Sequence, residues 1–276
     1  VMAALGVVKT RAEPFGEEDV ATLQQIANIA ALALRNASLF AEAEAAGRTK
    51  SDFMNMAAHE LRTPLTVLGG YVSMLRDGTF GTPPRRWRDP IEIISAKAAE
   101  LTDLVDELLM AARLESGAIA PPTGRTDLVA ALEDALRRAR PRAAMLGASL
   151  SSEVPSEEVL VAAEPEHVAR IIDNLVNNAL TYSRESPWLR VTLTAGPDEA
   201  VMSFLDHGRG VPLEMRERIF DQFVRVEDEG PYHPGTGLGL YISRALAERS
   251  GGRLRLTEGG PGEGSVFVLW IPRLPV

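Results

Sequence analysis

The sequence predicts a multi-domain chain: an α-helical hairpin that forms a dimeric four-helix bundle, followed by an α+β domain. Three observations carry this. Two long stretches repeat apolar residues in a heptad seam, a loop rich in Gly, Pro and Arg joins them, and the texture changes to mixed helix and strand after Pro122. Composition agrees, since 45% of the 276 residues are hydrophobic, enough to bury real cores. The 38 acidic against 29 basic side chains leave a net charge of −9, which disfavours a surface for nucleic-acid phosphates. The absence of cysteine removes disulfides, thiolate nucleophiles and cysteine-ligated zinc, and suits a reducing compartment. No window reaches the roughly 18 consecutive apolar residues of a membrane span. The run Ile29 to Leu34 is cut by Arg35, and Val1 to Val8 has no signal-peptide pattern, so a soluble, cytoplasmic chain is expected.

Residues 1–12 read as a strand, and from Glu17 a helical pattern follows with Val20, Leu23, Ile26, Ala30, Leu34 and Ala37. One strand and one helix enclose no core, so residues 1–46 are expected to be the C-terminal piece of a module lying mostly upstream. Between Lys50 and Arg76 the seam is Met54, Ala58, Leu61, Leu65, Leu68, Val72 and Leu75. After the loop Asp77 to Arg88, Asp89 and Pro90 predict an N-cap and first helical position. The second seam runs through Ile94, Ala98, Leu101, Val105, Leu108 and Ala112, and Gly117 with Pro121 and Pro122 ends it. A hairpin with so little core of its own is expected to dimerise. Beyond it, helices are predicted over 127–140 and 165–182, and strands over 189–194, 201–205, 253–257 and 265–271. The domains are thus 1–46, 47–120 and 121–276.

Chemistry concentrates in a few motifs. In His59-Glu60-Leu61-Arg62-Thr63-Pro64-Leu65, Leu61 and Leu65 take seam positions, so His59 and Glu60 point away from the core. An exposed imidazole beside a carboxylate can act as a nucleophile, with Glu60 orienting one nitrogen or taking its proton. Thr63 shares that face, and Pro64 removes the hydrogen bond to the carbonyl of residue 60. Taken alone, a solvated surface histidine is an equally good reading. In Asp173-Asn174-Leu175-Val176-Asn177-Asn178, Asn174 and Asn178 align one turn apart beside an apolar face. Asparagine is a mediocre helix former, so this density answers another demand, and amide oxygens suit magnesium. A merely polar helix face is the alternative. Asp206-His207-Gly208-Arg209-Gly210 after a strand, and Gly235-Thr236-Gly237-Leu238-Gly239-Leu240 before a helix, let backbone approach a ligand and offer N–H groups to phosphates. A buried Asp206 can accept from an exocyclic base amine. Neither segment is a P-loop or a dinucleotide fingerprint, and each alone is weak.

Taken in order, these motifs resemble the sensor histidine kinases of two-component signalling, over residues 50 to 272. His59 to Leu65 looks like the H box, Asn174 to Asn178 the N box and Asp206 to Gly210 the G1 box. Ile219-Phe220-Asp221-Gln222-Phe223 is similar to the F box, Gly235 to Leu240 to the G2 box, and Arg113 to Gly117 to the end of the second dimerisation helix. Phe15 to Asp19, leading into an Ala-rich helix, resembles the tail of a GAF sensor domain. The resemblance implies a Bergerat-type ATP-binding domain, an α/β sandwich, beside a dimeric phosphoacceptor bundle. It implies His59 as acceptor of the γ-phosphoryl group, Glu60 as base, Thr63 as a phosphatase-assisting residue, Asn178 as magnesium ligand and Asp206 as the reader of adenine. Asn174, Gly208, Gly210, Phe220, Phe223, Gly235, Thr236, Gly237, Leu238 and Gly239 complete the implied nucleotide set, with a lid from Val224 to Pro234. The implied partners are a second copy, a response-regulator receiver domain and an upstream sensor. Thr181 departs from the pattern, because many members carry a phosphate-contacting lysine there; Arg184 is a candidate substitute. His207 and Arg209 receive no role, His167 and His233 read as surface and lid residues, and Trp87 and Trp188 as packing residues. Two other readings stand beside the kinase. An ATPase of the same fold needs no phosphoacceptor, and His59-Glu60 with Pro64 argues against it. A non-catalytic nucleotide-sensing scaffold is disfavoured by the complete motifs and kept open by Thr181.

Overall fold

A computed structural model describes residues 56, 60–119, 122–183, 187–226, 236–260 and 262–274. The chain divides into two compact units at Phe53, and the described residues all lie in the second, Met54–Val276. The readings of a GAF-like tail at 1–46, of His59, of Arg184, of His233, of Gly235 and of the lid's centre fall outside the described residues.

Helix α1 is described over residues 60–76 and α2 over Arg85–Glu115. They form the expected hairpin, tied by Leu65 packing against the buried pair Val105 and Leu109, and by Arg62 Nε donating to Asp106 Oδ1 at 3.1 Å. The seam divides in two. Val72, Ala98, Val105 and Ala112 are buried, whereas Leu61 (51% exposed), Leu68 (45%), Ile94 (49%) and Leu101 (48%) stand in solvent. A two-helix unit can cover only one half of a heptad stripe. Trp87, expected to pack, is 52% exposed. Helix α2 starts at Arg85, capped by Pro84, and not at Pro90, which lies inside it. Residues 85–90 are all exposed, so water can satisfy the carbonyl that Pro90 leaves without a donor.

The α+β part is a two-layer sandwich. Strands β1 (Thr126–Asp127) and β3 (Leu160–Val161) pair in a small antiparallel ribbon. The main sheet has the order β2-β4-β5-β7-β6, from β2 (Ser149–Glu153), β4 (Trp188–Ala195), β5 (Glu199–Asp206), β6 (Arg253–Glu258) and β7 (Ser265–Pro272). Only β2 with β4 is parallel; the other pairs are antiparallel. Alternation buries one face: Leu189, Val191 and Leu193 on β4, Ala200, Met202 and Phe204 on β5, Leu269 and Ile271 on β7. These pack with buried residues of α3 (Leu128–Met145), α4 (Pro165–Thr181) and α5 (Gly239–Arg249) in one core. Asp127 caps α3, its carboxylate accepting from the N–H groups of Val129 at 3.1 Å and Ala130 at 3.4 Å.

Two boundaries differ from expectation. Helix α3 continues through Pro141 to Met145, because Pro141 and Arg137 are both exposed and the carbonyl freed by the ring can be hydrated. The break expected at residue 120 is not a gap in packing, since Ala111 and Leu114 of α2 belong to the sandwich core. No described helix is long and apolar enough to cross a membrane.

Candidate functional site

The site grows from two strand ends and two helix ends. On β5 the period-two alternation that buries Ala200, Met202 and Phe204 also turns Asp206 inward, 7% exposed, at the strand's last position. Its Oδ1 accepts from the N–H groups of Gly208 at 2.8 Å and Ser265 at 3.2 Å, and Oδ2 has no partner among the described residues. Burial raises the Asp206 carboxyl to about 6, against the lowering effect of those two N–H bonds and of the nearby His207. Gly208 is required here: a Cβ would lie 2.7 Å from Asp206 Oδ1 and 3.0 Å from the Tyr182 carbonyl. The close approach serves a bridge between Ser183 and Gly208 and a bond from Arg209 N–H to the Tyr182 carbonyl at 3.1 Å. These join the end of α4 to the turn after β5.

Helix α4 buries Ile171, Ile172, Leu175, Val176 and Ala179 and leaves Asn174 and Asn178 half-buried toward a cavity. Asn174 is fixed, its Nδ2 donating to Ser243 Oγ on α5 at 2.9 Å. Gly239 makes that fit possible, since a Cβ there would sit 2.4 Å from Asn174 Oδ1. Asn178 makes no side-chain hydrogen bond among the described residues. Helix α5 begins at Gly239 without a side-chain cap of its first residue, although the Thr236 hydroxyl accepts from the Leu238 N–H at 3.0 Å. The opening turn of α5 is thereby presented beside Asn174.

These elements line one cavity of about 1370 Å³ that takes in Asn174, Asn178, Asp206, Gly208, Gly210, Thr236, Gly237 and Gly239. Phe220, Phe223 and Leu238 do not line it. Phe220 and Leu238 are buried in the core, Phe220 edge-on to Phe267 with Arg244 over its ring, and Phe223 is exposed with a φ of 61°. Nor does any described residue of α1 line it: Glu60 and Thr63 are exposed on the hairpin. Trp188 lies at a strand end, stacked on His207 with centroids 5.8 Å apart.

The cavity's other wall is α2, which motif reading did not include. Glu100, Asp103 and Glu107 face it, Thr236 Oγ1 donates to Glu107 Oε2, and Gln222 Nε2 donates to Glu115 Oε1 at 2.7 Å. Burial pushes the Glu107 carboxyl up, opposed by the Thr236 bond and the Arg170 charge. The signal for this wall was a run of acidic residues on the face of α2 away from the seam. Ser243, which orients Asn174, was signalled by a hydroxyl inside the apolar stripe Ile242 to Leu246. Among the described residues no cluster of His, Cys, Asp or Glu forms a metal cage. The donors present are the amide oxygens of Asn178 and Asn174, which fit a magnesium ion that keeps waters and takes its remaining ligands from phosphates.

Comparison with known families and structures accords with this geometry. Residues 49–117 match the His Kinase A (phospho-acceptor) domain, and residues 163–275 match the histidine kinase-, DNA gyrase B-, and HSP90-like ATPase family. Sensor protein DivL of Caulobacter vibrioides is 36% identical over 246 residues, which cover 88% of this chain and 30% of that protein. The alginate biosynthesis sensor protein KinB of Pseudomonas aeruginosa is 31% identical over 84% of this chain and 38% of its own length. The chain therefore spans about a third of the length of these curated relatives. Among solved structures, full-length ShkA in complex with AMPPNP superposes with a TM-score of 0.68 at 25% identity, over 82% of this chain and 46% of that one.

Proposed function

The chain belongs to the histidine kinase family, and from that premise we propose that it is an ATP-dependent autokinase that phosphorylates its own His59. The observation that carries the reading is the convergence of Asn174, Asn178, Asp206 and the glycine turns on one cavity, in a chain whose sequence sets His59 next to Glu60, the first described residue of α1. Asp206 Oδ2 accepts from the adenine amine, the start of α5 and Asn174 lie beside the phosphates, and an imidazole nitrogen of His59 displaces ADP from the γ-phosphorus while Glu60 takes the imidazole proton. Magnesium, brought with the nucleotide and held by Asn178, supplies neutralisation of phosphate charge. Transfer brings together His59 and the nucleotide domain, which in this structure is bonded to Glu107 and Glu115 on α2.

The same reading gives the chain its partners. A second copy covers the exposed half of the seam, and the phosphoryl group passes to an aspartate of a response-regulator receiver domain, with Thr63 assisting its removal from that partner. Residues 1–46 are the end of an upstream GAF-like sensor, supported by Phe15 to Asp19 leading into an Ala-rich segment. Kinase and receiver meet in the cytoplasm, a setting the cysteine-free sequence suits.

The test is incubation with magnesium and γ-labelled ATP beside His59→Gln, recording acid and alkali stability of the label. Acid-labile, alkali-stable label that disappears in the variant is expected. Label that persists in His59→Gln would assign the acceptor elsewhere.

A further inference from the structure

We propose that Arg142 of helix α3 is the phosphate-binding cation of this nucleotide site, filling the role that a lysine at position 181 would have. The inference deepens the ATP reading above and rests on it. Because α3 runs on through Pro141, Arg142 arrives at the cavity wall beside Asn178. There its guanidinium spans two α4 residues one turn apart, Nη1 donating to Asn177 Oδ1 at 3.0 Å and Nη2 to Thr181 Oγ1 at 2.9 Å. Thr181 thus lacks a cation of its own and holds one supplied by the neighbouring helix.

The partners decide what the arrangement is for. One turn earlier on both helices, Arg138 Nη2 donates to both carboxylate oxygens of Asp173, each at 2.9 Å. That ion pair joins α3 to α4 and cancels its own charge. Arg142 continues the same ladder into the cavity, yet both its acceptors are neutral and it forms no ion pair among the described residues, so its positive charge is not cancelled by them. A guanidinium has five N–H donors, and those not spent on Asn177 and Thr181 are free for phosphate oxygens, which it matches in a planar fork. Arg170, Arg209 and Arg225 also line the cavity, and the first two are differently engaged. Arg170 lies in the field of Glu107 and Asp103, and Arg209 donates to the Val226 carbonyl while lying 4.5 Å over the Tyr182 ring. Arg142 is also exposed, so its truncation removes no core contact.

The experiment measures binding of ATP with magnesium, and of adenosine, by calorimetry to the whole chain and to Arg142→Ala, Arg142→Lys and the double variant Arg142→Ala, Thr181→Lys. Thermal melting of each unliganded protein is recorded alongside. Loss of a charge-assisted bond predicts ATP binding weakened about tenfold or more in Arg142→Ala. Adenosine binding and melting stay within the error of the parent, Arg142→Lys recovers part of the loss, and Thr181→Lys restores most of it. Unchanged ATP binding, or a loss shared equally by adenosine, overturns the proposal and leaves Arg142 as a tie between α3 and α4. Failure of the parent itself to bind either ligand sinks the nucleotide reading, a result distinguishable from a change confined to the variants.

Discussion

Asp206 combines a strand-end position with a cost. Its carboxyl is raised from 3.8 to about 6 by burial, so the folded state favours the neutral acid. A raised folded-state value means that the stability tied to this group is fully present below pH 3.8 and lost as pH rises through about 6. Asp206→Asn removes the charge and keeps the oxygen that accepts from Gly208 and Ser265. The unliganded variant should therefore melt above the parent at pH 8 and converge with it toward pH 4, with a gap of at most about 3 kcal/mol at ~1.4 kcal/mol per pKa unit. The role proposed for Asp206 in ATP binding needs the opposite form, because the adenine amine would donate to a carboxylate. Affinity in the parent should fall as pH drops below about 6, and Asp206→Asn should bind ATP weakly at every pH. Calorimetry from pH 5 to 8 checks both, and an affinity flat across that range would remove Asp206 as the adenine acceptor. This residue was legible because alternation along β5 identifies its inward face. Arg142 was not, because a single arginine on a helix carries no periodic signal of what lies across from it, and the hydroxyl of Ser243 in an apolar stripe marks an inward polar group without naming its partner.

At the scale of elements, α2 is both a seam helix and a wall of the nucleotide cavity. Thr236, at the start of the α5 turn, is bonded to Glu107, and Gln222 to Glu115, so the nucleotide domain is held to α2 by polar contacts at these two residues. A hydroxyl bonded to a half-buried carboxylate couples the two residues. In hydrogen exchange, Thr236→Val and Glu107→Ala should each speed exchange of the amides from Leu238 to Tyr241, and the double variant should go no further than the faster single. Additive effects would show that the two act separately. Strands with alternating apolar residues, β4, β5 and β7, were found within a residue or two. Strand β2 was not, because Ser149-Leu150-Ser151-Ser152-Glu153 is an edge strand with mostly exposed side chains and carries no apolar alternation. The start of α2 was misplaced because Pro90 was read as a first helical position, and α3 runs five residues past its expected end through Pro141; on exposed turns water meets the cost of both prolines.

For the whole molecule, the hairpin leaves Leu61, Leu68, Leu75, Ile94 and Leu101 uncovered on a stripe that heptad spacing built for burial. In the dimer proposed above, Leu68→Glu with Leu101→Glu should shift the chain to monomer in sedimentation equilibrium. ATP binding should be unchanged, because neither residue lines the cavity. A variant that still sediments as a dimer would require another interface. By itself the sequence determined the hairpin, the one-sided sheet and the set Asn174, Asn178 and Asp206, because periodicity and motif spacing are local properties written in consecutive residues. Only the tertiary structure decided that α2 closes the cavity, that Ala111 and Leu114 join the sandwich core, and that Arg142 reaches Thr181. Each of those depends on which helix faces lie within bonding distance, a property of packing between residues far apart in the chain.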